Sequence, residues 1–172
     1  MIRLSIKKLV LLLLLFIPLK GMTQILKKAT WQYHLEPENP NAGEEAVLVF
    51  NVVIASNWYM YSTDFELDPG PVRASFEFEE DDSYQLMGEI VPVGAKKKYD
   101  DIFEGDVTLF TGTAEFRQKI KVLSEGLKIK GIYEYQVCSE VDGKCILEEG
   151  EFEVRGKSGA NTSSETTEKS ID

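Results

Sequence analysis

At 172 residues and 43% hydrophobic content, the chain is long enough to bury one compact core. Its formal charge of −10 at pH 7 excludes nucleic acid as a natural partner, because phosphate repels a net anion. One histidine and two cysteines are too few for a closed structural zinc site.

Arg3, Lys7 and Lys8 precede the apolar run Leu9 to Leu19, and Gly21, Met22 and Thr23 follow it. That is the three-part pattern of a secretory signal peptide, assigned to residues 1–23. An apolar run of 11 residues falls short of the roughly 20 that a membrane-spanning helix needs, which favours cleavage over an uncleaved anchor. The leader carries four cations (Arg3, Lys7, Lys8, Lys20) and no acid, so the mature chain is more acidic still. Export also puts the two cysteines in an oxidising compartment, where a disulfide persists.

Trp31 to Leu35 alternates as a first strand, and Pro37, Asn39, Pro40, Asn41 and Gly43 form a turn cluster. Glu45 to Ala55 is a nearly continuous apolar run, the pattern of a strand covered on both sides or central in a sandwich. Trp58, Tyr59, Met60 and Tyr61 follow almost at once, and Asp68-Pro69-Gly70-Pro71 turns the chain. Val72, Ala74, Phe76 and Phe78 alternate with polar residues as a half-buried strand, and Glu79 to Asp82 is a turn. Tyr84 to Val93 predicts one or two short strands interrupted at Gly88 and Pro92, and Gly94 to Asp106 reads as polar and irregular. Strands resume at Val107 to Phe110 and at Ala114 to Val122, where Phe116, Gln118, Ile120 and Val122 share a side. A further strand runs from Leu127 to Cys138, and a return follows Cys145 through Phe152 and Val154.

Residues 156–172 are Ser, Thr, Glu, Lys and Gly with almost no large apolar side chain, a polar tail expected to be disordered. No stretch has sustained helical periodicity. Many short strands with turn signals about every ten residues indicate an all-β fold, an immunoglobulin-like antiparallel β-sandwich of seven to nine strands over residues 24–155.

Both cysteines fall in one predicted hairpin. Alternation along the approaching strand puts Leu127, Ile129, Tyr133, Tyr135 and Val137 on one side and Cys138 on the other, more polar side. Ser139 to Lys144 contains an Asp-Gly turn signal, so the chain can fold back and bring Cys145 within disulfide reach. These cysteines are too close in sequence to bridge opposite sheets. A structural clip is one reading, although closing eight residues contributes only about 2–2.5 kcal/mol on the chain-entropy model. A redox-active pair is the other, since short exposed bridges exchange more readily. Lys144 favours a Cys145 thiolate, whereas Glu140 and Asp142 oppose it.

Three further segments carry a resemblance: Trp58-Tyr59-x-Tyr61-Ser62, Tyr99-Asp100-Asp101-Ile102-Phe103-Glu104-Gly105, and Tyr133-x-Tyr135-Gln136-Val137-Cys138 with Cys145. Together, over roughly Trp31 to Arg155, they make the chain resemble the periplasmic N-terminal domain of the thiol:disulfide interchange protein DsbD. The resemblance implies an immunoglobulin-like domain that relays reducing equivalents through one cysteine pair and acts as a protein-disulfide reductase. Cys138 and Cys145 would be that pair, with Cys145 forming the mixed disulfides and Cys138 resolving them. Tyr59 and Tyr61 match aromatics beside the pair, Phe103 matches a residue that covers the disulfide, and Asp101 joins this shielding and partner-binding group. The implied electron donor is a thioredoxin-like or membrane thiol reductase, and the implied clients are periplasmic disulfide-containing proteins. A monomer without cofactor or metal is expected.

This chain departs from that pattern in three places. Six residues separate the cysteines, Leu147 and Glu148 stand where prolines are usual, and Ile102 occupies an acidic position. The rival reading is a non-catalytic binding or scaffold sandwich with a structural hairpin disulfide. His34 lies in an early strand with no supporting nucleophile motif and reads as a sheet or surface histidine. The acidic clusters at Glu79 to Asp82 and Asp100 to Asp106 lack EF-hand spacing and read as solvated loops.

Overall fold

The computed structural model describes residues 27–101 and 103–156. The expected leader, residues 1–23, lies outside the described residues, and so does the expected polar tail apart from Gly156. Among the described residues, ten strands form in chain order: β1 (Ala29–Glu36), β2 (Glu45–Ile54), β3 (Trp58–Tyr61), β4 (Ser75–Phe78), β5 (Tyr84–Val93), β6 (Lys96–Asp100), β7 (Gly105–Thr111), β8 (Thr113–Val122), β9 (Lys128–Ser139) and β10 (Cys145–Arg155). All described strand pairs are antiparallel. They make a four-stranded sheet, β1-β2-β8-β5, and a six-stranded sheet, β10-β9-β3-β7-β6, with β4 also paired to β9. The expected all-β sandwich is the fold.

The main core lies between the sheets. From β2 it takes Leu48, Phe50, Val52 and Ile54, from β8 Phe116, Ile120 and Val122, and from β9 Ile129, Tyr135 and Val137. Period-two alternation supplies these faces: Phe116, Gln118, Ile120 and Val122 are all buried, as their shared side predicts. Trp31 stacks on Tyr133 at 4.1 Å between ring centres and on Phe116 at 5.9 Å, joining the two sheets through one aromatic column. Gly131 is required where β4 and Phe152 close on β9, since a Cβ there would lie 2.1 Å from the Glu77 carbonyl oxygen and 2.5 Å from Phe152 Cζ.

Two sequence expectations change. The segment Gly94 to Asp106, read as irregular, contains β6, which pairs with β7 from Lys96↔Leu109 to Asp100↔Gly105. Its Lys-Lys-Lys-Tyr-Asp sequence has no apolar alternation because β6 is a sheet edge, where lysines oppose further strand addition. The strand expected from Val72 shortens to Ser75–Phe78. Upstream of it, residues 62–74 cross the outer face of the six-stranded sheet. Ser62 N–H donates to the Thr108 carbonyl, Val72 N–H to Gln136 Oε1 at 2.7 Å and Arg73 Nη1 to the Phe65 carbonyl at 2.8 Å.

Candidate functional site

β9 and β10 pair in unbroken register from Lys128↔Arg155 to Cys138↔Cys145. Residues directly opposite in an antiparallel pair point to the same face, so the two cysteines face each other with their Cα atoms 4.0 Å apart, and their sulfurs are bonded. The bridge therefore sits within one sheet, at the mouth of the hairpin loop.

That loop is ordered by its own polar groups. Ser139 N–H donates to the Lys144 carbonyl at 2.9 Å, and the Ser139 carbonyl accepts from Gly143 N–H at 3.0 Å. Ser139 Oγ accepts from the N–H groups of Val141 and Asp142 at 3.2 and 3.3 Å. Gly143 takes φ +68°, a conformation that side chains disfavour, which explains glycine at this turn. Glu140 N–H donates to the Asn57 carbonyl at 2.8 Å and anchors the tip to the entry of β3. Lys144 Nζ lies 3.0 Å from Asp142 Oδ2. The Ser139 hydroxyl, and after it Lys144, hold the Asp142 carboxyl down to about 2.

The two sulfurs have opposite surroundings. Cys138 is 0% exposed, whereas Cys145 is exposed. Cys138 does lie on the face of β9 turned away from the main core, as alternation predicts, but that face is not open at this end. A second apolar cluster covers it, made of Tyr61, Phe65, Val107 and Leu109 with Tyr59 and Leu67 packed against it. Tyr59 is the direct cross-strand neighbour of Cys138 through the β3–β9 pairing. Its ring meets Tyr61 edge-on at 5.4 Å, and Lys98 Nζ stands 5.7 Å from its centre.

Asp100, 9% exposed at the end of β6, accepts the Tyr61 O–H at 2.8 Å and the Phe103 N–H at 3.2 Å. Burial, then the Tyr59 and Asp100 contacts, raise the Tyr61 phenol far above its ordinary range, so Tyr61 stays protonated and keeps donating. Phe103 is partly buried in the β6–β7 turn and lies outside the apolar group around Cys138, and Asp101 in the same turn is exposed.

Of the six residues singled out in the sequence, Cys138, Cys145, Tyr59 and Tyr61 come together, and Phe103 joins them through Asp100. Sequence reading missed Asp100, Phe65 and Leu67. The signal for Asp100 was available once β6 is known to be a strand: Lys96, Lys98 and Asp100 alternate onto one face, the face of Tyr59.

Around Cys145 the surface is apolar, with Val141 at 78%, Leu147 at 54% and Ile146 at 37% exposure. An open depression beside Cys145 is lined by Trp58, Val141 and Ile146, with Lys28 and Lys144 also on its wall. Lys28 Nζ stands 5.5 Å from the centre of the Trp58 ring. His34 is exposed, 3.4 Å from Glu36 Oε1. Among the described residues no group of His, Cys, Asp or Glu is placed to hold a metal ion, and no helix is long and apolar enough to cross a membrane.

A two-sheet antiparallel sandwich with a disulfide on the outer face of one sheet defines the class of protein: an immunoglobulin-like domain carrying a surface cysteine pair. Residues 27–156 match the family described as "Thiol:disulfide interchange protein DsbD, N-terminal", and the chain belongs to that family. Among solved structures, the reduced DsbD N-terminal domain of Neisseria meningitidis is 25% identical over 67% of this chain and 79% of its own, with a TM-score of 0.47. The N-terminal periplasmic domain of ScsB from Proteus mirabilis is 14% identical over 74% of this chain and 46% of its own, with a TM-score of 0.52. A complex of the DsbD and PilB N-terminal domains of N. meningitidis is similar at 20% identity, covering 72% of this chain and 80% of that one, with a TM-score of 0.46. A comparison with curated proteins finds no match.

Proposed function

We propose that the chain is an extracytoplasmic thiol–disulfide exchange module that relays electrons through Cys138 and Cys145. The observation that carries this reading is the asymmetry of the pair, one sulfur exposed and the other enclosed, in a chain of the DsbD N-terminal family. Exchange begins when a donor thiolate attacks Cys145 Sγ. A donor–Cys145 disulfide forms, the Cys138–Cys145 bond breaks, and Cys138 leaves as the thiolate. A second donor thiolate then attacks the donor sulfur and releases Cys145, so two electrons now rest on the pair. In the onward step the Cys145 thiolate attacks a client disulfide and expels one client thiolate. Cys138 then attacks Cys145 Sγ, expels the second client sulfur and restores the bridge.

The donor in this reading is a thioredoxin-like or membrane thiol reductase, and the clients are disulfide-containing proteins of the periplasm. In this reading Tyr59 and Tyr61 shield the enclosed sulfur, and Phe103 and Asp101, on the β6–β7 turn beside them, meet the partner. The apolar rim of Val141, Ile146 and Leu147 suits docking around an exposed sulfur. A purely structural bridge would add little to a hairpin already paired along its whole length.

The test is trapping. Cys138→Ala leaves Cys145 without its resolving partner, so mixed disulfides should accumulate through Cys145, while Cys145→Ala should trap little. Trapping through Cys138 alone would reverse the roles, and trapping through neither would remove the exchange reading.

A further inference from the structure

Three segments adjoin at the cover of Cys138: β3 with Tyr59 and Tyr61 and residues 62–74 with Phe65 and Leu67 belong to the apolar cluster around it, and the β6–β7 turn stands beside that cluster. Asp100 joins two of them. Its Oδ2 accepts from the side chain of β3's last residue, Tyr61, and its Oδ1 from the backbone of the turn at Phe103. A carboxylate taken out of water is costly unless its lone pairs are met, and here the two donors belong to different elements. The third segment is packed against the same turn, since a Cβ on Gly105 would lie 2.3 Å from Leu67 Cδ1. Glu104, between Phe103 and Gly105, takes φ +55°, a conformation that a non-glycine residue holds only when its surroundings impose it.

We propose that Asp100 is a positioning residue for disulfide exchange: by tying Tyr61 to the Phe103 turn it keeps Cys138 enclosed, so that thiols meet the pair only at Cys145. The biological consequence rests on the exchange reading, but the enclosure itself can be measured separately. Asp100→Asn is a sharp probe, because an amide has one accepting atom where the carboxylate has two, and one of the two donors loses its partner. Tyr61→Phe cuts the same link from the other side with almost no change in ring volume.

The experiment uses the full chain with one cysteine at a time. Cys145→Ala leaves the Cys138 thiol and Cys138→Ala leaves the Cys145 thiol. Each is reacted with 5,5′-dithiobis(2-nitrobenzoate): the protein thiolate attacks one reagent sulfur, a protein–reagent disulfide forms, and thionitrobenzoate leaves with the electron pair and is counted by its absorbance. Asp100→Asn is expected to raise the Cys138 rate about tenfold, the factor equivalent to one charge-assisted hydrogen bond, while the Cys145 rate stays within about twofold. Tyr61→Phe should act in the same direction, the double variant should add little to either alone, and the Phe103 amide should exchange hydrogen faster.

Ile120→Val, a core change remote from the site, controls for general loosening and should leave the ratio of the two rates unmoved. An unchanged Cys138 rate in both link variants, or an equal rise at both cysteines, would overturn the proposal. If the ratio moves yet Cys145 forms no mixed disulfide with any protein, Asp100 keeps its positioning role and the exchange reading falls instead.

Discussion

Asp142 sits three residues from the exposed sulfur, and its carboxyl is held down to about 2 by the Ser139 hydroxyl and by Lys144. A carboxyl whose folded value lies below its ordinary 3.8 stabilises the fold fully above that ordinary value. It loses the contribution as pH falls toward the folded one. The hairpin tip should therefore loosen as pH falls from about 4 to about 2. Glu36, Glu44, Asp81 and Glu153 are also lowered, so the informative quantity is a difference curve. Asp142→Asn should flatten the acid limb of stability against pH relative to the parent chain, with faster amide exchange at Val141 and Asp142; identical limbs would contradict the assignment. At this scale the sequence told less than the structure. Asp100 and Asp101 are adjacent acids with the same chemistry, yet one is buried against Tyr61 and the other is exposed, and only the register of β6 decides between them.

The β9–β10 hairpin was the most legible element. Two alternating runs around an Asp-Gly turn predict it, and the pairing places Cys138 opposite Cys145. What alternation could not show was the cover on Cys138. The more polar face of β9, which carries Lys128, Lys130 and Glu134, becomes an apolar cluster at its far end, because β3 and β7 lie beside it and residues 62–74 cross above it. That cover depends on contacts distant in sequence, which periodicity does not encode. β6 escaped for a different reason: an exposed edge strand need not bury a face, so it lacks the signal used to find strands. The hairpin also bears on stability. Reducing a bridge that closes eight residues should cost about 2–2.5 kcal/mol and lower the melting temperature by about 5–10 °C. The far-UV circular dichroism should not change, because the backbone ladder carries the hairpin. Collapse of the spectrum on reduction would show that the bridge holds the fold.

Across the whole molecule, the two-sheet sandwich follows from residues that alternate in β2, β8 and β9, and the aromatic column on Trp31 locks the sheets together. The main core lies on one face of the six-stranded sheet and the cysteine cluster on the other, so the scaffold can stay fixed while the sulfurs change partners. The four-stranded sheet contributes nothing to the site directly; it braces the sheet from which β3 and β9 present Tyr59 and Cys138 side by side. A domain built this way should switch redox state without refolding. The most direct measurement is the reduction potential of the Cys138/Cys145 pair, obtained by equilibrating the chain in dithiothreitol or glutathione redox buffers. The exchange account predicts a potential less negative than about −300 mV with both states folded, and a value well below that would mark the bridge as structural and contradict it.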